Sequence, residues 1–167
     1  MTSKVLNLHQ NLPQETLSLI ELARIWGEEE LKPLIPKHWE EATFPPTIFY
    51  SFQSQCPQLL GYTLPKKYGG AGFDLMACCH ISKTLASIDA SFTTALIVQY
   101  GLCAESILLC GNEDQKLRFL PSLAKLNTLG CFCLTEPQSG SDASDLTTTA
   151  TKVPGGYSLS GNIYRNW

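Results

Sequence analysis

The chain changes character within one stretch, which reads Gly130-Cys131-Phe132-Cys133-Leu134-Thr135-Glu136-Pro137-Gln138-Ser139-Gly140-Ser141-Asp142. Upstream of it, apolar residues recur every three to four positions, which is the period of an amphipathic helix. The stretch itself opens with small and apolar residues at 130–134, which predict a short buried strand. A loop dense in hydroxyls and glycine follows. The sequence therefore predicts a helical region followed by a region of strands and loops.

Downstream, a β-hairpin is indicated. Residues 147–153 are rich in β-branched side chains, Pro154, Gly155 and Gly156 form a turn signal, and residues 157–159 return as a second strand. Two or three strands are not stable as an isolated sheet. We therefore expect a multidomain α+β protein: an all-α helical N-terminal domain at 1–128, and the start of a β-barrel-like middle domain, truncated, at 129–167.

Upstream, the pattern predicts several helices. The first begins at Pro13, because proline is favoured in a first helical turn, and residues 41–46 are irregular. A second helix at 47–60 is closed by Gly61. The apolar stripe expected on the first helix comprises Leu17, Ile20, Ala23, Trp26 and Leu31.

Later helices carry clear start signals. Asp74 caps a helix that reaches Leu85, with Cys78, Ile81 and Leu85 on its inner face. Asp89 or Ser91 caps the next helix, which runs to Cys110 and is apolar nearly all round, as in a buried central helix. Asn112 and Gln115 have capping-box spacing, and the helix that they open carries Leu117 and Leu120.

Composition narrows the function classes. Of 167 residues, 44% are apolar and the net charge is -3, which excludes a basic nucleic-acid surface. The longest apolar run, 95–110, is interrupted by Gln99 and Glu105 and falls short of the roughly 20 residues of a membrane span. Residues 1–10 do not resemble a secretory signal. We expect a soluble intracellular protein that does not bind nucleic acid or a membrane.

Charged residues make up only 16% of the chain, against roughly 25% in ordinary globular proteins. A surface so poor in charge suggests that part of it is normally covered.

Two features support no site on their own. The seven cysteines include no CxxC pair, and Cys78, Cys79 and His80 point about 100° apart on a helix, so we expect reduced thiols and no metal. The glycines at 69–72 lack a P-loop lysine and follow no strand, so a tight turn between helices is favoured.

The loop after residue 134 admits two interpretations. Successive backbone N–H groups around Gly140 and Ser141 could form an anion-binding nest for a pyrophosphate. The same residues, with an Asx turn at Ser141 and Asp142, also suit an ordinary polar loop. The residues alone leave both open.

Several segments resemble the acyl-CoA dehydrogenase and acyl-CoA oxidase family. The loop Leu134-Thr135-Glu136-Pro137-x-x-Gly140-Ser141-Asp142 resembles the family signature. Supporting resemblances, in order along the chain, are Pro65-x-x-Tyr68-Gly69-Gly70-x-Gly72, residues 111–124 and the hairpin strand 157–161. The resemblance covers about residues 15–161.

Within the family, residues 126–128 and 147–153 look most like plant peroxisomal short-chain acyl-CoA oxidase, with glutaryl-CoA dehydrogenases next. Glutaryl-CoA dehydrogenases carry an arginine after the aromatic residue of the buried helix, whereas here Phe92 is followed by Thr93. A neutral hydroxyl cannot form the charge-assisted pair that a distal carboxylate needs. A monocarboxylic acyl chain is therefore expected.

The resemblance implies FAD as cofactor and acyl-CoA as substrate. It places Thr135 against the flavin ring, with Phe132 and Leu134 beside it, and Gly140 and Ser141 at the pyrophosphate. Substrate contacts are implied for Ser141, Thr93 and Thr94. The implied reaction is α,β-dehydrogenation of the thioester to a trans-2-enoyl-CoA, with reduced flavin reoxidised by oxygen or by an electron-transfer flavoprotein.

The resemblance also implies what this chain does not supply. The family's general base is a glutamate of a C-terminal helical domain, so neither Glu136 nor Asp142 is expected to be catalytic, and Asp142 is expected to have a local structural role. Intact family members are homotetramers. The implied compartment is the cytoplasm in a bacterium, and the peroxisome or mitochondrial matrix in a eukaryote.

The tail departs from the family pattern. Ile163 stands where lysine is expected, Arg165 where the flavin-backing tryptophan is expected, and Trp167 comes two places late. We therefore expect a truncated chain that is inactive alone. Two other interpretations remain: a non-catalytic remnant or interaction module, and a flavin monooxygenase of the same fold.

Overall fold

The chain divides into two units, Met1–Gly130 and Cys131–Trp167, and the computed structural model describes residues 12–164. The first unit is helical. Its α-helices are α1 Gln14–Trp26, α2 Ile35–Glu40, α3 Ile48–Gln55, α4 Leu75–Ala86, α5 Ala90–Ile97, α6 Glu105–Cys110 and α7 Glu113–Ala124. Short turns connect some of them: π-helical Gly27–Leu31 and Val98–Ala104, and 3-10 Lys32–Leu34, Pro57–Leu59 and Lys66–Tyr68.

Side-chain caps begin three of these helices. Asp74 Oδ1 accepts a hydrogen bond from the Ala77 N–H at 2.8 Å, and Asn112 forms a reciprocal capping box with Gln115. Asp89, and not Ser91, caps α5. At α1 the predicted start is off by one residue, because Pro13 is the extended residue before the helix and Gln14 is the first helical residue.

The core of the first unit is aromatic at its centre. The Trp26 ring lies 4.9 Å from that of Phe52 and 5.1 Å from that of Phe92, measured between centroids. Such tilted and edge-on pairs add to the stability gained from burial. The predicted inner face of α4 is confirmed, since Cys78, Ile81 and Leu85 are buried.

The stripe predicted for α1 is confirmed in part. Ala23, Trp26 and Leu31 are buried, and Leu17 and Ile20 are half-buried. Thr16 is also buried and was missed. Threonine is not counted as apolar when a stripe is identified from sequence, although its methyl group can pack like an apolar side chain.

The helix predicted for residues 47–60 is shorter than expected. It ends at Gln55 and gives way to the turn Pro57–Leu59, because Pro57 lacks the N–H that would continue the ladder. The glycine loop is a tight turn, as predicted. A side chain at Gly70 would place its Cβ 2.2 Å from the Leu64 carbonyl oxygen, and Gly69 has a φ of +85°.

The prediction of a helix that is buried all round is wrong. The helical stretch from Ala90 to Cys110 buries one face only, with Phe92, Leu96 and Tyr100 in the core and Ile97 and Leu102 exposed. On α7, Leu120 is buried but Leu117 is exposed. In both cases the neighbouring helices cover a single side, which an apolar composition cannot reveal.

The same stretch bears on the question of membranes. Among the described residues, one helix, Ala90–Cys110, has 21 residues and a mean hydropathy of 1.5, long and apolar enough to cross a bilayer. That contradicts the expectation that the run is too short. Core helices of soluble proteins pass the same test, and this helix contributes Phe92, Leu96 and Tyr100 to the core.

The second unit contains the predicted hairpin. Strands β1 Thr149–Val153 and β2 Gly156–Ser160 pair antiparallel, with Val153 opposite Gly156. Pro154 and Gly155 form the turn, and Gly155 has a φ of +84°, which suits a turn with proline followed by glycine.

The strand predicted for residues 130–134 is not formed. Within residues 12–164 these positions have no ladder partner, and Cys131, Phe132, Cys133 and Leu134 are exposed. An extended segment becomes a strand only when another strand supplies hydrogen-bond partners. The barrel-like domain accordingly stays a prediction.

Candidate functional site

The signature segment folds around a tight turn. The Glu136 N–H donates to the Ser139 carbonyl at 2.9 Å, and the Ser139 N–H donates back to the Glu136 carbonyl at 3.1 Å. Pro137 and Gln138 form the tip. Glu136 is only 2% exposed, so its carboxylate needs partners inside the unit.

Those partners come from the residues that precede β1. Glu136 Oε2 accepts from the Thr147 N–H and hydroxyl, both at 2.7 Å, and from Gln138 Nε2 at 2.7 Å. Its Oε1 accepts from the Thr148 N–H at 2.9 Å. Hydrogen bonding from Thr148 and Thr147 lowers the pKa of Glu136 to about 2.

Asp142 closes the other end of the loop. Its Oδ1 accepts from the Ser144 N–H at 3.0 Å and from the Ser144 hydroxyl at 2.5 Å. The Ser144 hydroxyl, followed by its N–H, lowers the pKa of Asp142. The Ser139 hydroxyl donates to the Asp142 carbonyl. Both signature carboxylates thus hold the loop together.

The residues predicted to bind the cofactor share this one segment. Phe132 and Leu134 are 41% and 39% exposed, and Thr135 is half-buried. The Thr135 carbonyl accepts from the Tyr164 N–H at 2.8 Å. Gly140 and Ser141 are exposed, and no hydrogen bond within residues 12–164 involves either of them.

The residues predicted to contact substrate from the helix belong to the first unit. Thr93 lies on α5 and is buried, and its hydroxyl donates to the Asp89 carbonyl at 2.9 Å. Thr94 is exposed on the same helix. The structure therefore gathers the cofactor residues and Ser141 into one loop, and Thr93 and Thr94 onto one helix.

Gln99 is a positioning residue that sequence reasoning missed. Its side chain is 2% exposed. Its Nε2 donates to the carbonyls of Leu123 and Thr128, both at 2.9 Å, and its Oε1 accepts from the Gly130 N–H at 2.7 Å. A single amide inside an apolar helix was the available signal, and it was interpreted only as an interruption of a membrane span.

The structure describes the tail as far as Tyr164. Gly161 lies against Thr148, and a Cβ there would be 2.1 Å from the Thr148 Oγ1, so glycine is required. Ile163, at the position where lysine was expected, is exposed. The predictions about Arg165 and Trp167, and those about residues 1–10, fall on positions outside the described residues.

Within the described residues, the cysteines form no disulfide and belong to no metal-ligand cluster. All seven cysteines are in the thiol form, and among residues 12–164 no three potential ligands are grouped as a metal would require. Burial raises the pKa of Cys56 to about 12 and, as the main cause, that of Cys78 to about 11.

A cleft of about 310 Å³ also lies in the first unit, lined by apolar residues such as Leu31, Ile35 and Phe44. It contains none of the predicted site residues.

Known proteins resemble the chain over nearly its whole length. An acyl-CoA dehydrogenase of Bacillus subtilis is 34% identical over 152 residues, which is 91% of this chain and 40% of the relative. A mitochondrial isobutyryl-CoA dehydrogenase of Dictyostelium discoideum is 35% identical over 153 residues, 90% of this chain and 36% of the relative.

Solved structures agree. Butyryl-CoA dehydrogenase from Megasphaera elsdenii superimposes with a TM-score of 0.81 at 33% identity, covering 90% of this chain and 40% of that one. A glutaryl-CoA dehydrogenase from Mycobacterium smegmatis in complex with FADH2 gives 0.81 at 31% identity, covering 90% and 38%.

A family match covers most of the helical unit. The chain spans between 25% and 40% of the length of the curated relatives it matches. Residues 13–127 match the family described as acyl-CoA dehydrogenase, N-terminal domain. Because this match covers more than half of its residues, the chain belongs to the acyl-CoA dehydrogenase family, a family of oxidoreductases.

Proposed function

We propose that this chain supplies the helical N-terminal domain and the first flavin-contact segment of an enzyme that oxidises an acyl-CoA thioester to its trans-2-enoyl-CoA. The proposal rests on two features that follow one another along the chain. The family match over residues 13–127 is followed at once by the signature loop, whose two carboxylates are both engaged within the loop.

The loop fits FAD in its donor chemistry. Gly140 and Ser141 are exposed and make no hydrogen bond within the described part of the chain, so their N–H groups are available to a pyrophosphate. Asp142 is turned toward Ser144 and does not oppose that charge. Phe132 and Leu134 offer apolar surface, and Thr135 offers a hydroxyl. When bound, FAD would supply the acceptor for the hydride that leaves the β-carbon.

The carboxylates of the loop are unsuited to remove the α-proton. With a pKa of about 2, Glu136 is a weak base at neutral pH, since efficient general bases have a pKa near the working pH. Asp142 is hydrogen-bonded to Ser144. The base we propose is a glutamate of a C-terminal helical domain in the whole enzyme.

The substrate class follows from one position on α5. Thr93 occupies the place of the arginine that glutaryl-CoA dehydrogenases carry, and its hydroxyl is engaged by Asp89. A distal carboxylate would meet no positive charge there. We propose a monocarboxylic acyl chain, with Ser141 and the exposed Thr94 as further contacts.

Electron acceptor, assembly and compartment complete the proposal. The relatives named above are dehydrogenases, which favours an electron-transfer flavoprotein over oxygen as the oxidant, and so disfavours the oxidase branch.

A homotetramer would cover the apolar side chains that the first unit exposes. The cytoplasm of a bacterium or the mitochondrial matrix would suit such an enzyme, and the names of these relatives support either.

A chimera tests the proposal. In it, this chain replaces the matched part of the Megasphaera elsdenii butyryl-CoA dehydrogenase. We expect stoichiometric flavin after gel filtration and formation of enoyl-CoA with a dye as acceptor. The same chimera carrying Ser141→Asp should lose flavin, because the added carboxylate would repel the pyrophosphate. A chimera that folds, by circular dichroism, but holds no flavin would favour the non-catalytic remnant.

The 167-residue polypeptide alone provides the complementary measurement. We expect little flavin to survive gel filtration, because most of the residues that would contact it lie exposed on one loop. We also expect no oxidation of butyryl-CoA or hexanoyl-CoA, because both signature carboxylates are hydrogen-bonded within the loop. Turnover by this polypeptide would show that a group within it acts as the base.

A further inference from the structure

Two thiols lie side by side at the start of the second unit. Cys131 and Cys133 are both exposed, and their Sγ atoms are 3.8 Å apart. Residues two apart on an extended chain point to the same side, with about 3.3 Å of rise per residue. On such a chain the two Cα atoms would be about 6.6 Å apart, which lies within the range of about 4.4–6.8 Å found in disulfides.

The backbone around them can absorb the remaining movement. Closing the bridge needs the sulfurs to approach to about 2 Å. Residues 131–135 belong to no helix or strand, so a change in their φ and ψ breaks no ladder hydrogen bond. By contrast, Cys56 and Cys78 are buried in the helical core, where no reagent reaches them readily.

We propose that Cys131 and Cys133 form a thiol–disulfide exchange site whose substrate is a low-molecular-weight disulfide such as glutathione disulfide. One cysteine loses its proton, and its thiolate attacks the substrate, which releases one glutathione thiolate and leaves a mixed disulfide. The second thiolate attacks that mixed disulfide and releases the other glutathione. Two cysteine thiols are oxidised to one disulfide, the substrate is reduced to two thiols, and each leaving thiolate takes up one proton.

The bridge would change the surface presented by Phe132, which lies between the two cysteines in the sequence. Drawing the flanking residues together alters the backbone angles of Phe132 and hence the direction of its ring. The exchange chemistry concerns the two thiols alone, so it does not depend on whether the loop binds flavin.

Trapping the thiols tests the proposal. The 167-residue chain is equilibrated with mixtures of reduced and oxidised glutathione, quenched with N-ethylmaleimide, digested and analysed by mass spectrometry. We expect Cys131 and Cys133 to lose alkylation together and to appear as one bridged peptide. The Cys133→Ser chain should instead accumulate glutathione on Cys131, and the Cys110→Ser control should bridge like the parent.

A dithiol-specific probe gives a second measurement that needs no variant. Phenylarsine oxide should bind the reduced parent chain and protect both cysteines from alkylation. The proposal is overturned if both thiols stay alkylated under oxidising mixtures, if the parent retains glutathione on Cys131 unresolved, or if either cysteine bridges elsewhere. Circular dichroism confirms that each variant keeps its helices.

Discussion

At the scale of single residues, two buried polar side chains organise the chain. Gln99 uses both ends of its amide to hold Leu123, Thr128 and Gly130. Glu136 uses both carboxylate oxygens to hold the residues before β1. Each is a case in which several backbone groups depend on one side chain, so that removing it leaves them without partners.

We expect Gln99→Leu to lower the free energy of unfolding by about 2–3 kcal/mol, because two buried carbonyls and one N–H lose their partner. Chemical denaturation followed by circular dichroism measures the change. The matched control is Gln53→Leu, which removes bonds to Lys125 and Asn127 at a more exposed site and should cost under about 1 kcal/mol. Equal losses in the two variants would contradict the positioning role of Gln99.

The hydrogen bonds of Glu136 predict a pH dependence with a definite sign. Its pKa is lowered from 4.5 to about 2 in the folded chain. A carboxyl with a lowered pKa adds stability above its ordinary value, and that stability is lost as the pH falls toward the folded value. The Thr147 and Thr148 amide resonances should therefore shift between about pH 4.5 and pH 2.

Two variants check the assignment by NMR. In Glu136→Gln the amide shifts of Thr147 and Thr148 should no longer follow the pH in that range. Asp145→Asn, a change at a nearby exposed carboxylate, should leave the titration intact. A parent chain whose two threonine amides titrate with a midpoint near 4.5 would show that Glu136 is not held by them.

At the scale of elements, the capping signals at helix starts predict the structure better than apolar content does. The stretch Ala90–Cys110 has a mean hydropathy of 1.5, yet it buries one face only. Its first residue is decided by a side-chain hydrogen bond, from the Phe92 N–H to Asp89 Oδ1 at 2.6 Å. A helix leaves its first N–H groups without internal partners, and the cap supplies one.

We expect Asp89→Ala to destabilise the first unit by about 1 kcal/mol, the usual cost of losing an N-cap. Ser91 was the other candidate cap and is exposed, so Ser91→Ala should change the stability by less than about 0.5 kcal/mol. Urea unfolding curves of the two variants discriminate them. A larger loss in Ser91→Ala would mean that α5 begins later than the structure shows.

At the scale of the whole molecule, the low charge content has a visible counterpart. Leu109 is 72% exposed and Leu117 is 52% exposed, and Ile97 and Leu102 are also accessible. Exposed apolar side chains in number mark surfaces that bind other protein surfaces. They are the reason to expect association between copies of the isolated polypeptide.

We expect the double change Leu109→Gln and Leu117→Gln to reduce self-association of the 167-residue polypeptide, measured by light scattering across a concentration series. Stability should change by less than about 1 kcal/mol, because neither side chain is buried. Leu120→Gln, on the same helix as Leu117 but buried, should instead unfold the helical unit. If the double variant associates as strongly as the parent, these leucines do not belong to the surface through which the copies associate.

Local signals were predictable from sequence because they depend on neighbours along the chain. Asp74, the capping box of Asn112 and Gln115, and the Pro154-Gly155 turn involve residues within three positions of one another. The exposed side of α7 was not predictable, because Leu117 and Leu120 differ only in which neighbour covers them. Gln99 was missed for the same reason, since its partners lie 24 to 31 residues away.

By itself, the sequence determined that helices precede a hairpin, where most of them begin, and that the loop at 134–142 carries the signature of a flavoprotein family. Periodicity, capping and turn chemistry depend on residues close together in the sequence, and family resemblance depends on the order of residues along the chain. Only the tertiary structure decided that Glu136 holds the loop to Thr147 and Thr148, that residues 130–134 form no strand, and that the two thiols of Cys131 and Cys133 meet. Burial, hydrogen-bond partners and proximity depend on residues that are distant in the sequence, so no short window of sequence predicts them.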